Sequence, residues 1–453
     1  MHKKLALLLS LFLLVTEIPS CSFTGLSAQN LMTAPKANAD QQAIYRQLQG
    51  TQTDVNFVYP RNGSYRSAII MEDFTGNGVE DAIGFHSVEN STGVGVQFLV
   101  KEEGRWLAAA AFQNVATQVD RVCFANLAGG RKAVLIGWGS TAGATGRTAE
   151  LKAYVCDGRD VEEYSLGNYG EMALTDFNGD GVHEVFTIDK YIPAEEDGSE
   201  PSPAMARLFL FRQDEPYQMT YCQADNDISN YSSVSFGQLN AQSPAVVVDG
   251  STASGITTTQ IFRLEGLAMK SLPDNVNQED YVNPFARPSG ASFSAQDING
   301  DGYLEFPAVS LLPGLSGQAE LDSTSYLVEW QAITGSMGFQ PVLRALMNTR
   351  ENYWFRLPFP LQGRVCAVND PKLRTVTYTQ VIPGEDGSEL LGSTLFSIRV
   401  FTLSSWESRG ETSGYTRLAG QNDSVYGIQI LTKDQELRRY VEDIAKGFQL
   451  MAE

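Results

Sequence analysis

The chain has 453 residues and a formal net charge of −20 at pH 7. That acidic balance excludes a nucleic-acid binder, because a phosphate-binding surface needs a basic excess. Hydrophobic residues make up 43%, ordinary for a globular protein, and the length calls for two domains or a repeat array rather than one core.

Residues 1–20 read as an address. Lys3 and Lys4 give a positive start, and the apolar run from Leu5 to Val15 is too short to span a bilayer, which fits a signal-peptide core. Ile18, Pro19, Ser20 and Cys21 come next. They resemble a bacterial lipobox, although Pro19 is an unusual second residue. The resemblance implies cleavage before Cys21, a lipid on its sulfur, and an extracytoplasmic protein anchored to the bacterial cell membrane. Residues 21–52 are expected to form a tether and a short helix. Asn38 and Gln41 make a capping-box pair, Ile44 and Leu48 share one apolar face, and Gly50 stops the helix.

A repeat follows. "DFTGNGVEDAIGF" starts at Asp73, "DFNGDGVHEVFTI" at Asp176 and "DINGDGYLEFPAV" at Asp297, with degenerate copies "ANLAGGRKAVLIG" from Ala125 and "GQLNAQSPAVVVD" from Gly237. Each copy sets a loop before a short apolar strand. A period of about 50–60 residues with roughly four short strands predicts propeller blades. The expected architecture is mainly β: a propeller of about five blades over residues 53–344, then a small α+β module over residues 345–453. A single seven-bladed propeller is the alternative. In the closing module a helix is expected over 433–448, capped by Thr432 with Gln435 as its box partner. Leu437, Val441, Ile444 and Phe448 would line its apolar face.

The acidic loops carry oxygen ligands at positions 1, 3, 5 and 9, a carbonyl at 7 and glycine at 6. Calcium takes six to eight such oxygens. Asp176, Asn178, Asp180, Val182 (carbonyl) and Glu184 meet that description, as do Asp297, Asn299, Asp301, Tyr303 (carbonyl) and Glu305. Asp73, Thr75, Asn77, Val79 (carbonyl) and Asp81 form a weaker set with one carboxylate fewer. An EF-hand would need Glu at position 12, where Thr187 and Ala308 stand. The spacing instead resembles the FG-GAP or VCBS repeat family, whose propeller blades carry a calcium loop of the type D-x-[DN]-x-D-G-x-x-[DE]. The order of lipobox, tether, repeats and closing module also resembles surface lipoproteins of Clostridia-type bacteria. The resemblance implies Ca2+ as a structural ion and attaches no activity.

Catalytic signals are sparse. Beyond the leader there are two histidines, His86 and His183, the latter at an outward-looking loop position. No HExxH, GxSxG or phosphate-cradling GxxxxGK[ST] is present. Cys123, Cys156, Cys222 and Cys366 lack metal or redox spacing; Cys123, Cys156 and Cys366 lie in apolar strand-like runs, and the cysteines read as buried free thiols, with one disulfide as the alternative. Most of the five tryptophans are expected in the core. The sequence therefore reads as a monomeric, lipid-anchored, calcium-stabilised binding or scaffold protein. Its partners would be the membrane through the N-terminal lipid and a glycan, peptide or protein ligand. The alternative is a polysaccharide-acting enzyme built on a propeller.

Overall fold

The computed structural model describes residues 39–50, 56–87, 93–139, 149–176, 179–194, 200–211, 217–274, 276–288, 290–313, 324–335, 338–384 and 389–451. The leader, the lipobox with Cys21, and the tether lie outside the described residues.

The chain is mainly β, built as consecutive antiparallel sheets. The first holds β1 (Ile69–Glu72), β2 (Asp81–Ser87), β3 (Val94–Glu102) and β4 (Arg105–Asn114). The second holds β5 (Gln118–Asn126), β6 (Lys132–Gly139), β7 (Ala149–Asp157) and β8 (Asp160–Tyr169). The third holds β9 (Glu171–Thr175), β10 (Glu184–Ile188), β11 (Met205–Leu210) and β12 (Gln218–Gln223). The fourth holds β13 (Ile228–Gln238), β14 (Pro244–Thr252), β15 (Thr257–Glu265) and β16 (Ala268–Leu272). The fifth is formed by β17 (Glu305–Leu311), β18 (Ser325–Ile333), β19 (Phe339–Asn348) and β20 (Tyr353–Arg356). The sixth is formed by β21 (Val365–Asp370), β22 (Thr375–Pro383), β23 (Glu389–Thr402), β24 (Thr416–Gln421) and β25 (Ser424–Ile430). A final short strand, β26 (Gln449–Leu450), returns to pair with β20.

Successive side chains of a strand point to opposite faces, so an unbroken apolar run is buried on both. In β6, Val134 and Ile136 join the cluster shared with Phe85, Val96 and Phe98 of the first sheet. Ala133 and Leu135 face Val185 and Phe209 of the third. Further along, Phe186 and Leu208 meet Val246, Val248 and Phe262. Val247 and Ile261 then meet Phe285 and Phe306. The last interface joins Leu346 and Phe355 to Tyr378 and Phe396. Face-to-face stacking in chain order is compatible with a β-propeller.

Three helices bear on this arrangement. Helix α1 (Ala39–Gln49) buries Ile44 and Leu48, and Gly50 ends it at φ +52°. Those two side chains pack on Ala82, Leu99 and Trp106 of the first sheet, on the face turned away from the second. Helix α2 (Leu403–Arg409) is short and capped by Thr402. Helix α3 (Gln435–Lys446) buries Val441 and Ile444 in the cluster of the fifth and sixth sheets, with Leu437 and Phe448 partly buried beside them. Its cap differs from the one expected. Asp434 accepts the N–H groups of Glu436 and Leu437 at 2.9 and 3.0 Å, while Thr432 Oγ1 instead accepts the N–H of Asp434 at 3.2 Å. A carboxylate one residue before the helix reaches the free N–H groups of the first turn, which the more distant Thr432 does not.

The division drawn at residue 344 falls within β19. Leu343 and Ala345 sit in one fifth-sheet cluster, so this strand is continuous across it.

Candidate functional site: the acidic loops and a polar cleft

The three acidic loops share one frame. In each, the first aspartate caps three backbone N–H groups. Asp73 takes those of Gly76, Asn77 and Gly78 at 2.8, 3.1 and 2.8 Å. Asp176 takes those of Gly179, Asp180 and Gly181 at 2.7, 3.1 and 2.9 Å. Asp297 takes those of Gly300, Asp301 and Gly302 at 2.6, 3.0 and 2.8 Å. The fifth residue then caps the seventh: Asn77, Asp180 and Asp301 accept from Val79, Val182 and Tyr303 at 2.7, 2.8 and 2.9 Å. The glycines at positions 4 and 6 all have positive φ, between +74° and +89°, which side chains rarely adopt.

Position 3 sits between the carboxylates. The Thr75 hydroxyl lies 2.9 Å from Asp81 Oδ2 and 3.5 Å from Asp73 Oδ1. The Asn299 amide donates to Asp301 Oδ2 at 3.0 Å and to Glu305 Oε1 at 3.1 Å. In these two loops the position 3 side chain thus links the acid at position 9 to another loop carboxylate. Asn178 lies outside the described residues.

Position 9 is buried. Asp81 and Glu305 are 0% exposed and Glu184 is 4% exposed. Burial pushes the Asp81 carboxyl up, and the charge of Asp73 adds to it. Glu305 is raised for the same reason, with Asp301 and Asp297 adding repulsion. The outer acids behave oppositely: backbone N–H groups, first those of Gly181 and Gly302, hold the Asp176 and Asp297 carboxyls below the usual range. Asp81 Oδ1 is buried with no hydrogen-bond partner. In the degenerate copies the ninth residues are Ala133 and Ala245, both 0% exposed. An acid is buried only where other loop oxygens face it, which fits a hard cation with oxygen ligands. Among the described residues, no group of three or more His, Cys, Asp and Glu gathers tightly enough to hold a metal alone. A cation here would depend on the carbonyls and the position 3 side chains as well.

The loops also touch the preceding sheet. His183 donates its N–H to the Asn126 carbonyl at 2.8 Å, and its Nδ1 accepts the Asn126 N–H at 3.1 Å. It is therefore a sheet-to-sheet contact, not the outward-looking residue expected from its loop position. Leu304 occupies the same loop position and donates to the Gln238 carbonyl at 2.8 Å.

A second feature was not legible in the sequence. At the strand ends opposite the loops lies a polar cleft of about 470 Å³. Four residues of β9 lie between Glu171 and the Asp176 loop, about 16 Å of strand. The cleft is lined by Asn62, by Asp120 and Arg121 of β5, by Glu171, by Lys190 just past β10 and by Asn230 of β13. Asp120 accepts from Asn62 Nδ2 at 2.7 Å, from Arg121 Nε at 3.2 Å and from the Tyr169 hydroxyl. Arg121 also pairs with Glu171 Oε1 at 2.6 Å. Burial works to lower the Arg121 pKa, but Glu171, and then Tyr169 and Asp120, raise it instead. Tyr169 is raised by burial and by Asp120. Gly137 allows this arrangement, because a Cβ there would collide with the Tyr169 hydroxyl.

Of the remaining expectations, Trp106, Trp138 and Trp330 are buried, while Trp354 and Trp406 are half-buried. Cys123, Cys156, Cys222 and Cys366 are free thiols; Cys156 and Cys366 are buried, the other two half-buried.

No protein-family model matches this sequence, and no curated protein does. Among solved structures, the chain is similar to the rhamnogalacturonan lyase PL11 of Bacillus licheniformis, at 12% identity, 75% coverage of both chains and a TM-score of 0.30. It is similar to the exotype rhamnogalacturonan lyase YesX at 13% identity, with 74% of this chain and 72% of that one covered and a TM-score of 0.30. It is also similar to AofleA from Arthrobotrys oligospora at 10% identity, covering 76% and 84%, with a TM-score of 0.24. Likenesses this distant carry no argument about function.

Proposed function

We propose that this chain is a lipid-anchored, extracytoplasmic binding protein on a β-propeller whose acidic loops hold calcium as a structural ion. The observation that carries the calcium reading is the ninth loop position. It buries an acid in the three loops that offer further oxygens and an alanine in the two that do not. Calcium would neutralise the buried carboxylate and brace loops that already bond to the neighbouring sheet. The Asp73 loop, one carboxylate short because Asn77 replaces the acid at position 5, is the weaker site, and its buried Asp81 Oδ1 is the atom with no hydrogen-bond partner there. The six sheets stacked in chain order support five propeller blades followed by a closing unit of the sixth sheet and α3.

Binding is favoured over catalysis by the state of the cleft acids. Asp120 accepts three hydrogen bonds and Glu171 is paired with Arg121, so neither stands as a free nucleophile or base. The test is a glycan and cell-wall fragment array probed with the protein, together with analysis of the fragments afterwards. Retention of intact fragments supports binding, and their cleavage contradicts it. The anchor is tested separately. Cys21→Ala should release the protein from the membrane fraction or block its processing, and a correctly cleaved mutant that stays membrane-bound contradicts lipidation.

A further inference from the structure

Helix α1 covers the free face of the first sheet only in part. Ile44 and Leu48 sit on Ala82, Leu99 and Trp106, across β2, β3 and β4. Beside them, between α1 and β1, runs a groove of about 560 Å³. The helix lines it with Tyr45 and Arg46, the chain before the first sheet with Phe57 and Tyr59, and β1 with Ile69 and Met71. Tyr59 is exposed, and Tyr45, Phe57, Ile69 and Met71 are half-buried. The rings of Tyr45 and Phe57 meet edge to face, 5.8 Å between centroids.

The wall formed by β1 is a strand edge, since β2 is its one neighbour in the sheet. Backbone pairing decides which groups that edge presents. The Ala68 carbonyl accepts the Phe85 N–H at 2.9 Å. By the alternation of an antiparallel pair, residues 70 and 72 then also bond to β2, while 69 and 71 turn their backbone groups outward. The Ile69 N–H confirms the phase, because it donates to Ser67 Oγ at 3.3 Å and not to β2. The Ile69 carbonyl and both backbone groups of Met71 therefore have no partner among the described residues. The side chains of the same two residues face the α1 side.

From this arrangement we infer that the groove takes an extended peptide segment of a partner protein, which adds to β1 as a further strand. Three features select that occupant. An open strand edge is matched by another backbone, and main-chain bonding beside apolar pockets for alternate side chains is how such edges bind peptides. The fold already completes its fifth sheet this way, with β26 added beside β20. The sign of the charge is also set. Arg46 has no ion pair, and no carboxylate lines the groove among the described residues. The acid of the helix, Asp40, is taken by Lys101 and Trp106, and Glu72 of β1 is taken by Lys132. The segment therefore carries an acidic residue for Arg46, with apolar side chains at every second position for the rings and Met71.

This inference rests on the binding reading and names its site. The experiment selects random linear peptides, displayed on phage, against the full chain. Enriched sequences should alternate apolar and polar residues and include an acid. Each is then resynthesised with single backbone N-methyl groups walked along it. Methylation at every second residue should weaken binding at least about tenfold, and methylation between them should change little. Met71→Pro removes an N–H that the ladder does not use, so it should melt like the wild type yet bind at least about tenfold more weakly. Arg46→Glu should weaken the acidic peptides, and Lys372→Glu, on a turn of the sixth sheet, should change nothing. No enrichment by folded protein, indifference to methylation, or unchanged binding by Met71→Pro and Arg46→Glu would each overturn the inference. If Met71→Pro unfolds, methylation and Arg46→Glu decide alone. A dimer abolished by Arg46→Glu would give the groove to a second copy and overturn it too. Array glycans bound where no peptide binds would overturn this site but keep the binding reading. Cleavage of array fragments, with peptides still bound through Met71, would do the reverse.

Discussion

His183 Nδ1 accepts the backbone N–H of Asn126 at 3.1 Å, and the His183 N–H returns to the Asn126 carbonyl at 2.8 Å. This pair fastens the acidic loop of the third sheet to the first strand of the second. His183→Ala removes the side-chain bond and leaves the backbone one, so it should cost about 0.5–1.5 kcal/mol. His183→Asn can present Oδ1 to the same N–H and should lose less. Urea unfolding of both variants checks the order, and an unchanged His183→Ala would mean that the imidazole bond contributes nothing.

Leu48 of α1 lies over Gly84, where a Cβ would collide with its side chain. Gly84→Ala should therefore cost about 1–3 kcal/mol by overpacking. Leu48→Ala should cost about 2–5 kcal/mol. The double mutant should lose less than the two together, because removing the leucine frees the space that the new methyl needs. Additive losses would show that α1 does not seal this face.

The cap of α3 gives a sharper test of a local assignment. Asp434→Ala should cost about 0.5–2 kcal/mol. Gln435→Ala should be nearly neutral, since Gln435 is the first residue of the helix and not the partner in a capping box. A larger loss at Gln435 than at Asp434 would contradict the cap seen here.

Burial pushes the thiols of Cys156 and Cys222 up to about 12. An unfolded thiol ionises near 8.5. The folded state therefore holds these protons while the unfolded state releases them, so stability is fully present below that value and falls as pH rises toward about 12. At pH 8 both cysteines should alkylate far more slowly in native than in urea-unfolded protein. Equal rates would place the thiols in solvent.

Part of this account was legible in the sequence. The acidic loops were, because their oxygen-bearing residues fall within nine positions and the glycines mark the turns. Ile44, Leu48 and Gly50 were legible for the same local reason. The cleft was not: Asn62, Asp120, Glu171 and Lys190 come from separate segments of the chain and meet only through sheet stacking. His183 was misjudged because its partner, Asn126, belongs to a degenerate copy in the preceding sheet. The division at residue 344 failed to follow the structure for a related reason. With no acidic loop nearby, nothing in the pattern marked β19 and β20 as part of the fifth sheet.

The central claim is that the acidic loops hold calcium to brace the stacked sheets, and melting with calcium and with chelator tests it most directly. Extracellular modules bind calcium with dissociation constants of roughly 10⁻⁴–10⁻³ M. At about ten times that constant each site should stabilise the fold by roughly 1.4 kcal/mol. Calcium should therefore raise the melting temperature of the wild type. Asp81→Asn, Asp180→Ala and Asp301→Ala should each lose part of the gain, and Asn77→Ala should lose little. Identical melting in calcium and chelator, with no ion retained after dialysis, would contradict the account and leave the three loops as turns held by their own hydrogen bonds.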